Sequence, residues 1–391
     1  MHPDWSFTTG GQDMTYRRAV TPALIGGLLL TALLWWAGAS ADALHLPGSG
    51  GTLGPEVVAE LQRWLTPWAY DPPSFLDAGA AVSGYVGDTA GGDRRDHYAG
   101  LYTTALQIRF GALFVFFVLG ALLLIRRLPP VRGRTTAAFL ALWAWGMVAG
   151  ALAVTVSAPW LIASTGHGSY RFLPQLANVI ASGRQLPVVV ALVAAGAAVL
   201  VARITADAAE PLPRTDVPAR AARRAATAGT AVIALSAVVL SYQSVAAALQ
   251  TFSPDGGLLA EPGDLLRQWL LLGAWSGPAG GPLGDWLLHR ASDVLLLAVV
   301  WWALRRLPGL LTRVTLPAMA AGTVCATVLG LLASQLLRIA VVQTGPHQGL
   351  LYSSAGLGNG IPAALTFGLV AGVTATTVLR LSLRGAPDPA P

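Results

Sequence analysis

The stretch LQIRFGALFVFFVLGALLLI, residues 106–125, decides the fold of this chain. It carries a single charge, and a helix of about 20 mostly apolar residues is long enough to cross the hydrocarbon core of a bilayer. The next residues are Arg126-Arg127-Leu128-Pro129, where the arginines favour the cytoplasmic end of a span and the proline favours the end of a helix. The stretch therefore predicts a transmembrane helix that ends in the cytoplasm.

Seven other windows of the 391-residue chain have similar length and apolar character. Spans 1 to 8 are predicted at 20–41, 106–125, 136–158, 186–206, 226–248, 286–304, 315–341 and 361–383. Hydrophobic residues make up 54% of the chain and charged residues 11%. A soluble domain carries about 25% charged residues, and a disordered chain has far less apolar content. We therefore predict an all-α integral membrane protein with eight transmembrane helices.

All 25 basic residues are arginines, and their distribution predicts the orientation of the spans. Both termini and the loops after spans 2, 4 and 6 hold 16 arginines and 6 acidic residues, whereas the other side holds 9 arginines and 13 acidic residues. The positive-inside rule places the Arg-rich side in the cytoplasm. The net charge of +6 is therefore an orientation signal, and we expect the lipid bilayer, not nucleic acid, as the partner. The lysine-free composition is typical of a GC-rich bacterial genome, so the cytoplasmic membrane is the expected location.

Span 1 resembles a signal peptide because it ends at Ala39-Ser40-Ala41. A signal peptide usually has an apolar run of about 7–15 residues. The apolar run of span 1 is longer, so we predict that span 1 is retained as a helix. The internal repeat described next also requires span 1 as the partner of span 5.

An internal repeat is predicted from matching segments of the two halves. Span 2 ends in Ile125-Arg126-Arg127-Leu128-Pro129, and span 6 ends 179 positions later in Leu304-Arg305-Arg306-Leu307-Pro308. The same offset takes Thr165-Gly166 onto Thr344-Gly345, and a histidine follows each pair. Because each half has an even number of spans, we predict two parallel four-helix repeats, an arrangement found in some transporter families.

The spans also divide the chain. The predicted parts are a cytoplasmic tail 1–19, a first membrane repeat 20–206 with an external loop 42–105, a cytoplasmic linker 207–225, a second repeat 226–383 with an external loop 249–285, and a cytoplasmic tail 384–391. Each external loop contains a Trp-bearing amphipathic segment, near 55–68 and near 262–275. Such helices commonly lie at the membrane interface, although a lid over a cavity and a partner-binding surface are alternatives.

Five ionisable residues near the outer boundary of the membrane form the candidate polar site. Asp293 lies in span 6, about 18 Å from the cytoplasmic end of the helix. Arg290 and His289 precede it by three and four residues on the same helix face, and Arg338 in span 7 and Arg109 in span 2 are candidate neighbours. Asp293 either pairs with an arginine in a structural role, or it gates or relays a proton at an outward-facing cavity whose arginines bind an anionic head group or substrate.

His167 and His347 are candidate residues of the equivalent external loops. The sequence lacks His-x-x-x-His and His-Glu-x-x-His spacing, so we predict no metal site and expect these histidines to cap helix ends. Cys325 is the only cysteine, which excludes an internal disulfide and predicts a small buried side chain. No P-loop or nucleophile elbow is present, and we predict no cofactor and no catalytic residue.

The function predicted from these features is that of a transporter-like protein, or the membrane subunit of a transport system with a separate ATPase. It would handle a small or lipid-like anionic solute. Two alternatives stay open: an envelope scaffold that recruits membrane or envelope proteins through its external loops, and a membrane-embedded transferase with a lipid-linked donor. External acids such as Glu56, Glu60 and Asp71 could serve such a transferase. A cavity between the halves would favour transport.

Overall fold

The computed structural model describes residues 10–41, 54–70, 90–130, 133–165, 171–206, 217–254, 257, 259–273, 283–342 and 356–384. Within these residues the chain is helical and contains no strand. Eight of the helices are long and apolar enough to cross a membrane. The prediction of an all-α, multi-pass membrane protein with eight membrane-length helices is thus confirmed.

The eight long helices are spans 1 to 8. Their bounds are Gly10–Ala39, Ala90–Arg127, Thr135–Ser164, Gln185–Ala206, Ala219–Ala234 continued by the π-helical segment Leu235–Leu240, Leu283–Leu310, Leu316–Val342 and Ile361–Arg384. Span 2 begins well before its predicted window because helical hydrogen bonding continues into polar residues, where the hydroxyls of Thr103 and Thr104 donate to carbonyls one turn earlier. Hydropathy marks only the apolar part of a helix.

Span 5 departs most from its predicted window. The window predicts one helix over 226–248, whereas the α-helix changes to a π-helix at Leu235–Leu240 and a separate helix follows at Gln243–Gln250. The hydroxyls of Ser236 and Ser241 in this region bind the backbone of a neighbouring loop. Tertiary contacts therefore interrupt the α-helix of span 5, and the apolar composition of the window does not predict them.

Four shorter helices are present among the described connections. They are Pro55–Leu65, followed by a 3₁₀ turn at Thr66–Trp68, then Phe172–Ala181, Gln243–Gln250 and Gly263–Leu270. Pro55 occupies the first turn of its helix, where a missing backbone N–H leaves no hydrogen bond unmade. Phe172–Ala181 is apolar, and it packs against span 3 and against the Gly263–Leu270 helix.

The four spans of each half pack as a ring. Span 1 contacts span 2, span 2 contacts span 3, span 3 contacts span 4, and span 4 returns to span 1; spans 5 to 8 pack in the same cyclic order. The halves meet where span 3 packs on spans 7 and 8. At this junction the buried Cys325 thiol lies 3.3 Å from the carbonyl oxygen of Ala141, which confirms its predicted burial.

Glycines allow the spans to approach closely. A Cβ added to Gly372 in span 8 would lie 2.5 Å from Cα of Ala320 in span 7, and one added to Gly146 in span 3 would lie 2.6 Å from Cβ of Ala191 in span 4. Small residues at helix contacts are common in membranes, where close packing supplies much of the association energy.

The two ends of the bundle differ in charge. We name one end the Arg-rich face; its span ends and adjoining turns carry Arg126, Arg127, Arg203, Arg220, Arg223, Arg224, Arg305, Arg306, Arg313, Arg380 and Arg384. The other end, which we name the opposite face, carries the four shorter helices. On the Arg-rich face the halves are joined by the amide of Thr312, which donates to the carbonyl of Arg127 at 2.9 Å.

Candidate functional site

Four of the five predicted polar residues lie together on spans 6 and 7. Nη1 of Arg290 is 3.2 Å from Oδ2 of Asp293, one helical turn later. Arg338 of span 7 and His289, one turn earlier on span 6, also lie near the Asp293 carboxylate. Arg338 belongs to span 7, so the cluster couples spans 6 and 7 electrostatically. Both side chains of the ion pair are partly exposed, at 32% for Arg290 and 19% for Asp293.

Arg109 lies in a different place, inside the first ring. Its side chain is buried, with 1% exposed, and the guanidinium lies over the Trp68 ring at 5.8 Å. Nε donates to the Ser157 hydroxyl at 2.9 Å, and Nη1 donates to the carbonyl of Pro67. These partners all belong to the first half, so the structure does not bring Arg109 to the Asp293 cluster. Through these hydrogen bonds, Arg109 connects the turn after the Pro55–Leu65 helix to spans 2 and 3.

The same turn closes the opposite face of the first ring. Nε1 of Trp68 donates to the carbonyl of Gly183 at 3.0 Å, and the Tyr102 hydroxyl donates to the carbonyl of Ala69 at 2.8 Å. Gly38 in span 1 permits the contact, because a Cβ there would collide with the Trp68 carbonyl. The segment 66–69 is therefore fixed from spans 1, 2 and 3 and from the residues before span 4.

The second ring is closed by serine hydroxyls. The Ser236 hydroxyl accepts the amide of Leu272 at 3.2 Å and donates to the carbonyl of Leu270. The Ser241 hydroxyl accepts the amide of Gly273 at 3.3 Å and donates to the carbonyl of Ser236 at 2.7 Å. The π-helical segment of span 5 supplies these contacts, and π-helical turns occur frequently at functional sites.

A buried glutamine holds the turn before span 8. Oε1 of Gln335 accepts the amide of Gly358 at 3.0 Å, and its Nε2 donates to the carbonyl of Asn359 at 2.9 Å. Gly358 and Gly360 both have φ of +78°, a left-handed conformation that favours glycine. A Cβ at Gly358 would lie 3.0 Å from the carbonyl oxygen of Arg184, so this turn touches the first half.

A narrow crevice lies between the halves beside this turn. Its enclosed part has room for about one water molecule. Its walls come from spans 3, 4 and 8 and from the Phe172–Ala181 and Gly263–Leu270 helices. The lining residues are Met147, Gly150, Ala151, Val154, Ile180, Ser182, Gly183, Arg184, Pro187, Gln268, Gly358, Gly360, Ile361 and Pro362.

The crevice lies at a helix break within the depth of the bundle. The Phe172–Ala181 helix ends, Gly183 adopts φ of +69°, and span 4 begins at Gln185. A Cβ at Gly150 would lie 3.2 Å from Cβ of Pro187, which sets the start of span 4 beside the middle of span 3. The break is therefore about 15 Å below the end of span 3 at Ser164. Span 4 begins at this break and is 22 residues long, which is just enough to cross a membrane, so the break lies at the end of that span on the opposite face.

Arg184 is the charged residue at this break. Its Nε is buried and has no hydrogen-bond partner among the residues that the structure describes. Burial lowers the pKa of the Arg184 guanidinium to about 10, which leaves the side chain positively charged at neutral pH. An anion that entered the crevice would therefore meet a fixed charge with unused hydrogen-bonding capacity.

Sequence reasoning missed Arg184. The signal that could have found it is the apolar run of Phe172–Ala181, which is followed by Ser182-Gly183-Arg184 and a further apolar span. This pattern indicates a short apolar helix that ends just before a membrane span. A single arginine in a short loop nevertheless resembles the other loop arginines until the depth of the break is known.

The remaining predicted residues contribute less to a site. Glu60 is buried and accepts from Arg63 at 2.5 Å and from Nε1 of Trp64 at 3.1 Å, so its carboxylate is occupied within its own helix. His167 and His347 lie outside the described residues. The pairing of these two loops therefore stays a prediction.

Comparison with known proteins finds no match, since no protein family, curated protein or solved structure is similar to this chain.

Proposed function

We propose that this chain is a membrane transport protein, or the membrane subunit of a transport system, that binds an anionic solute at Arg184. The observation that carries the proposal is the helix break at 182–184, which lines a crevice between the two rings. It holds the half-buried Arg184, whose Nε is buried and has no hydrogen-bond partner among the described residues. The N-terminal ends of helices and an arginine at the same place favour the binding of an anion.

The electrostatics of the crevice favour an anion over a cation. Arg184 supplies a full positive charge, and the first turns of spans 4 and 8 contribute Pro187, Ile361 and Pro362 to the lining. The N-terminal end of a helix carries a partial positive charge. Two such ends and a guanidinium therefore act together on any charge in the crevice.

We further propose that the two rings are parallel copies of one four-helix unit. The shared cyclic packing order supports this, as does a left-handed glycine before the last span of each ring. Gly183 packs on Pro67 and Trp68, and Gly360 packs on the carbonyls of Leu271 and Leu272. Movement of one ring against the other would alter the width of the crevice, as alternating access requires.

The proposed orientation follows the positive-inside rule. The Arg-rich face would lie in the cytoplasm of a bacterial cell, and the crevice would open toward the outside. The Asp293 cluster then has a structural role in this proposal, because its ion pair lies within span 6 and none of its residues lines the crevice.

The proposal is tested with Arg184→Gln in protein reconstituted into zwitterionic lipid nanodiscs. Acetate, butyrate, octanoate and inorganic phosphate serve as probe anions, and binding is measured by calorimetry. At least one anion is expected to bind saturably to the wild type. The substitution is expected to weaken that binding tenfold to a hundredfold, since a hydrogen bond to a charged group contributes about 1.5–3 kcal/mol.

Arg171→Gln is the matched control. Arg171 also lies on the opposite face but is 74% exposed, in a 3.9 Å pair with Glu261, and it does not line the crevice. Its substitution should leave binding unchanged. Equal loss in both variants, or no binding of any probe to the wild type, would contradict the proposal. Counterflow of the bound anion in proteoliposomes then distinguishes a complete transporter from a subunit.

A further inference from the structure

We propose that the Arg-rich face of the second ring binds the head group of an anionic phospholipid beside the ends of spans 5, 6 and 8. We name this surface the second-ring basic end; it consists of Arg223 and Arg224 in span 5, Arg305 and Arg306 in span 6, and Arg380 in span 8. This surface is distinct from the crevice, and the proposal does not depend on anion binding at Arg184.

The ends of these three spans lie side by side. Span 5 packs on span 6 and on span 8. A Cβ added to Gly229 of span 5 would lie 2.8 Å from the Leu304 side chain of span 6 and 3.4 Å from Cβ of Ala375 of span 8. These three positions are therefore at similar depth. The arginines of each span begin between one and five residues farther toward the Arg-rich face, which is at most about 8 Å along the helix axes.

The positive charge of this surface has no acidic neighbour within the three helix ends. All five arginines are exposed, and the described residues at 217–230, 300–316 and 375–384 include no Asp or Glu. Each Lys or Arg near a membrane surface strengthens the attraction to anionic lipid. The second-ring basic end therefore favours an anionic head group over a zwitterionic one.

Two tryptophans hold the arginines of span 6 in position. The guanidinium of Arg305 lies over the Trp301 ring at 5.4 Å, and that of Arg306 lies over the Trp302 ring at 5.2 Å. A guanidinium that stacks on a ring keeps its N–H donors at the edge of its plane, where they can bind two phosphate oxygens. Because stacking already restricts both side chains, phosphate binding costs less conformational entropy.

Exposed apolar side chains continue from the arginines toward the middle of the membrane. On span 6 the exposed Trp302 lies one turn from Arg306, and tryptophan is enriched at membrane interfaces. On span 5 the exposed Ala231 and Leu235 follow Arg224 on one helix face. A phospholipid presents its phosphate and its acyl chains in this order, whereas a soluble phosphate or an acidic protein segment matches the charged part alone. The surface therefore fits a lipid.

The test measures which lipid lies beside span 5. Full-length protein with Thr227→Cys is labelled with a fluorescent maleimide and reconstituted into phosphatidylcholine nanodiscs, and lipids that carry a nitroxide on an acyl chain quench the label. Cys325 is buried, so it does not contribute to labelling. Nitroxide-labelled phosphatidylglycerol is expected to quench at a mole fraction at least fivefold lower than nitroxide-labelled phosphatidylcholine, because the arginines attract its negative charge.

Leu200→Cys on span 4 is the matched control position. Thr227 and Leu200 are both exposed, and each lies three residues from an arginine toward the middle of the membrane, Arg224 and Arg203 respectively. The described end of span 4, at 200–206, carries this single arginine. The preference for phosphatidylglycerol at Leu200 is therefore expected to be at least threefold smaller than at Thr227.

Two double variants identify the arginines that select the lipid. Arg224→Gln combined with Arg306→Gln should reduce the preference at Thr227 to the value at Leu200. Arg126→Gln combined with Arg203→Gln removes the same charge from the first ring and should leave the preference at Thr227 unchanged. All four side chains are exposed, and unchanged quenching by phosphatidylcholine shows that the label site is intact in each variant.

Three outcomes would overturn the proposal. The first is an equal preference for phosphatidylglycerol at Thr227 and Leu200. The second is an equal loss of preference in the two double variants. The third is displacement of phosphatidylglycerol by soluble glycerol phosphate or by a polyglutamate peptide, which would assign the arginines to a soluble phosphate or to an acidic protein segment. Each of these outcomes leaves the proposed anion site at Arg184 unaffected.

Discussion

Arg109 shows how a single buried charge is accommodated in this protein. Its guanidinium has neutral partners, the Ser157 hydroxyl, the Pro67 carbonyl and the Trp68 ring, whereas Nη2 has no hydrogen-bond partner within the described residues. Asp293 is different, because it has a charged partner one turn away and both side chains are partly exposed. The two sites should therefore differ in their contribution to stability.

Arg109→Gln is expected to lower the free energy of unfolding by about 3 kcal/mol, because the carbonyl of Pro67 and the hydroxyl of Ser157 lose charged donors in a buried site. Asp293→Asn should cost about 1 kcal/mol or less, as is usual for exposed ion pairs and for polar contacts between membrane helices. Unfolding by added denaturing detergent, followed by tryptophan fluorescence, measures both values. Equal stability of Arg109→Gln and the wild type would indicate that Arg109 is retained for function rather than for folding.

The helix breaks determine the shape of the opposite face at the scale of secondary structure. Gly183 combines φ of +69° with close contact, since an added Cβ would lie 2.8 Å from Cβ of Pro67. Gly133, before span 3, has φ of +83° but nothing within 4 Å of an added Cβ. Substitutions at Gly183 and Gly133 therefore separate the effect of backbone conformation on stability from the effect of close packing.

Gly183→Ala is therefore expected to destabilise the protein more than Gly133→Ala. Both substitutions put alanine in the left-handed region at a cost of about 1–2 kcal/mol, and only Gly183→Ala adds overpacking of about 1–3 kcal/mol. Thermal unfolding in detergent compares the two variants. An equal decrease in the unfolding temperature of both variants would mean that Pro67 moves aside freely. The turn at 66–69 would then not be fixed by its contacts.

The whole molecule has two faces of opposite composition, and its orientation in the membrane sets where the crevice opens. The only cysteine, Cys325, is buried between spans 3 and 7, so introduced cysteines can be labelled without background. Ala59 on the opposite face and Ala219 on the Arg-rich face are both exposed. They provide a matched pair of single alanine-to-cysteine changes.

In intact cells, a membrane-impermeant maleimide is expected to label Ala59→Cys and to label Ala219→Cys only after permeabilisation. The reason is the excess of arginine on the face that carries Ala219. The wild type should remain unlabelled in both conditions. The reverse pattern would invert the orientation and place the mouth of the crevice in the cytoplasm.

The sequence by itself determined the number of membrane helices and the burial of Cys325. Membrane-length helices are predictable because hydrophobic length is a property of about 20 adjacent residues and needs no knowledge of neighbours. It also determined which residues are chemically notable, since Asp293, Arg290 and Arg109 stand out as charges within apolar windows. The apolar windows of about 20 residues did not predict the helical break in span 5 or the short apolar helix Phe172–Ala181.

Only the tertiary structure decided which polar groups meet. It brought Arg338 of span 7 near the Asp293–Arg290 pair, separated Arg109 from both, and brought Arg184 to a crevice between the rings. The depth of the break at Arg184 depends on the contact of Pro187 with Gly150, and the crevice depends on how one ring packs on the other. These are relations between residues distant in the chain, and helix register and ring packing fix them, not the composition of any one segment.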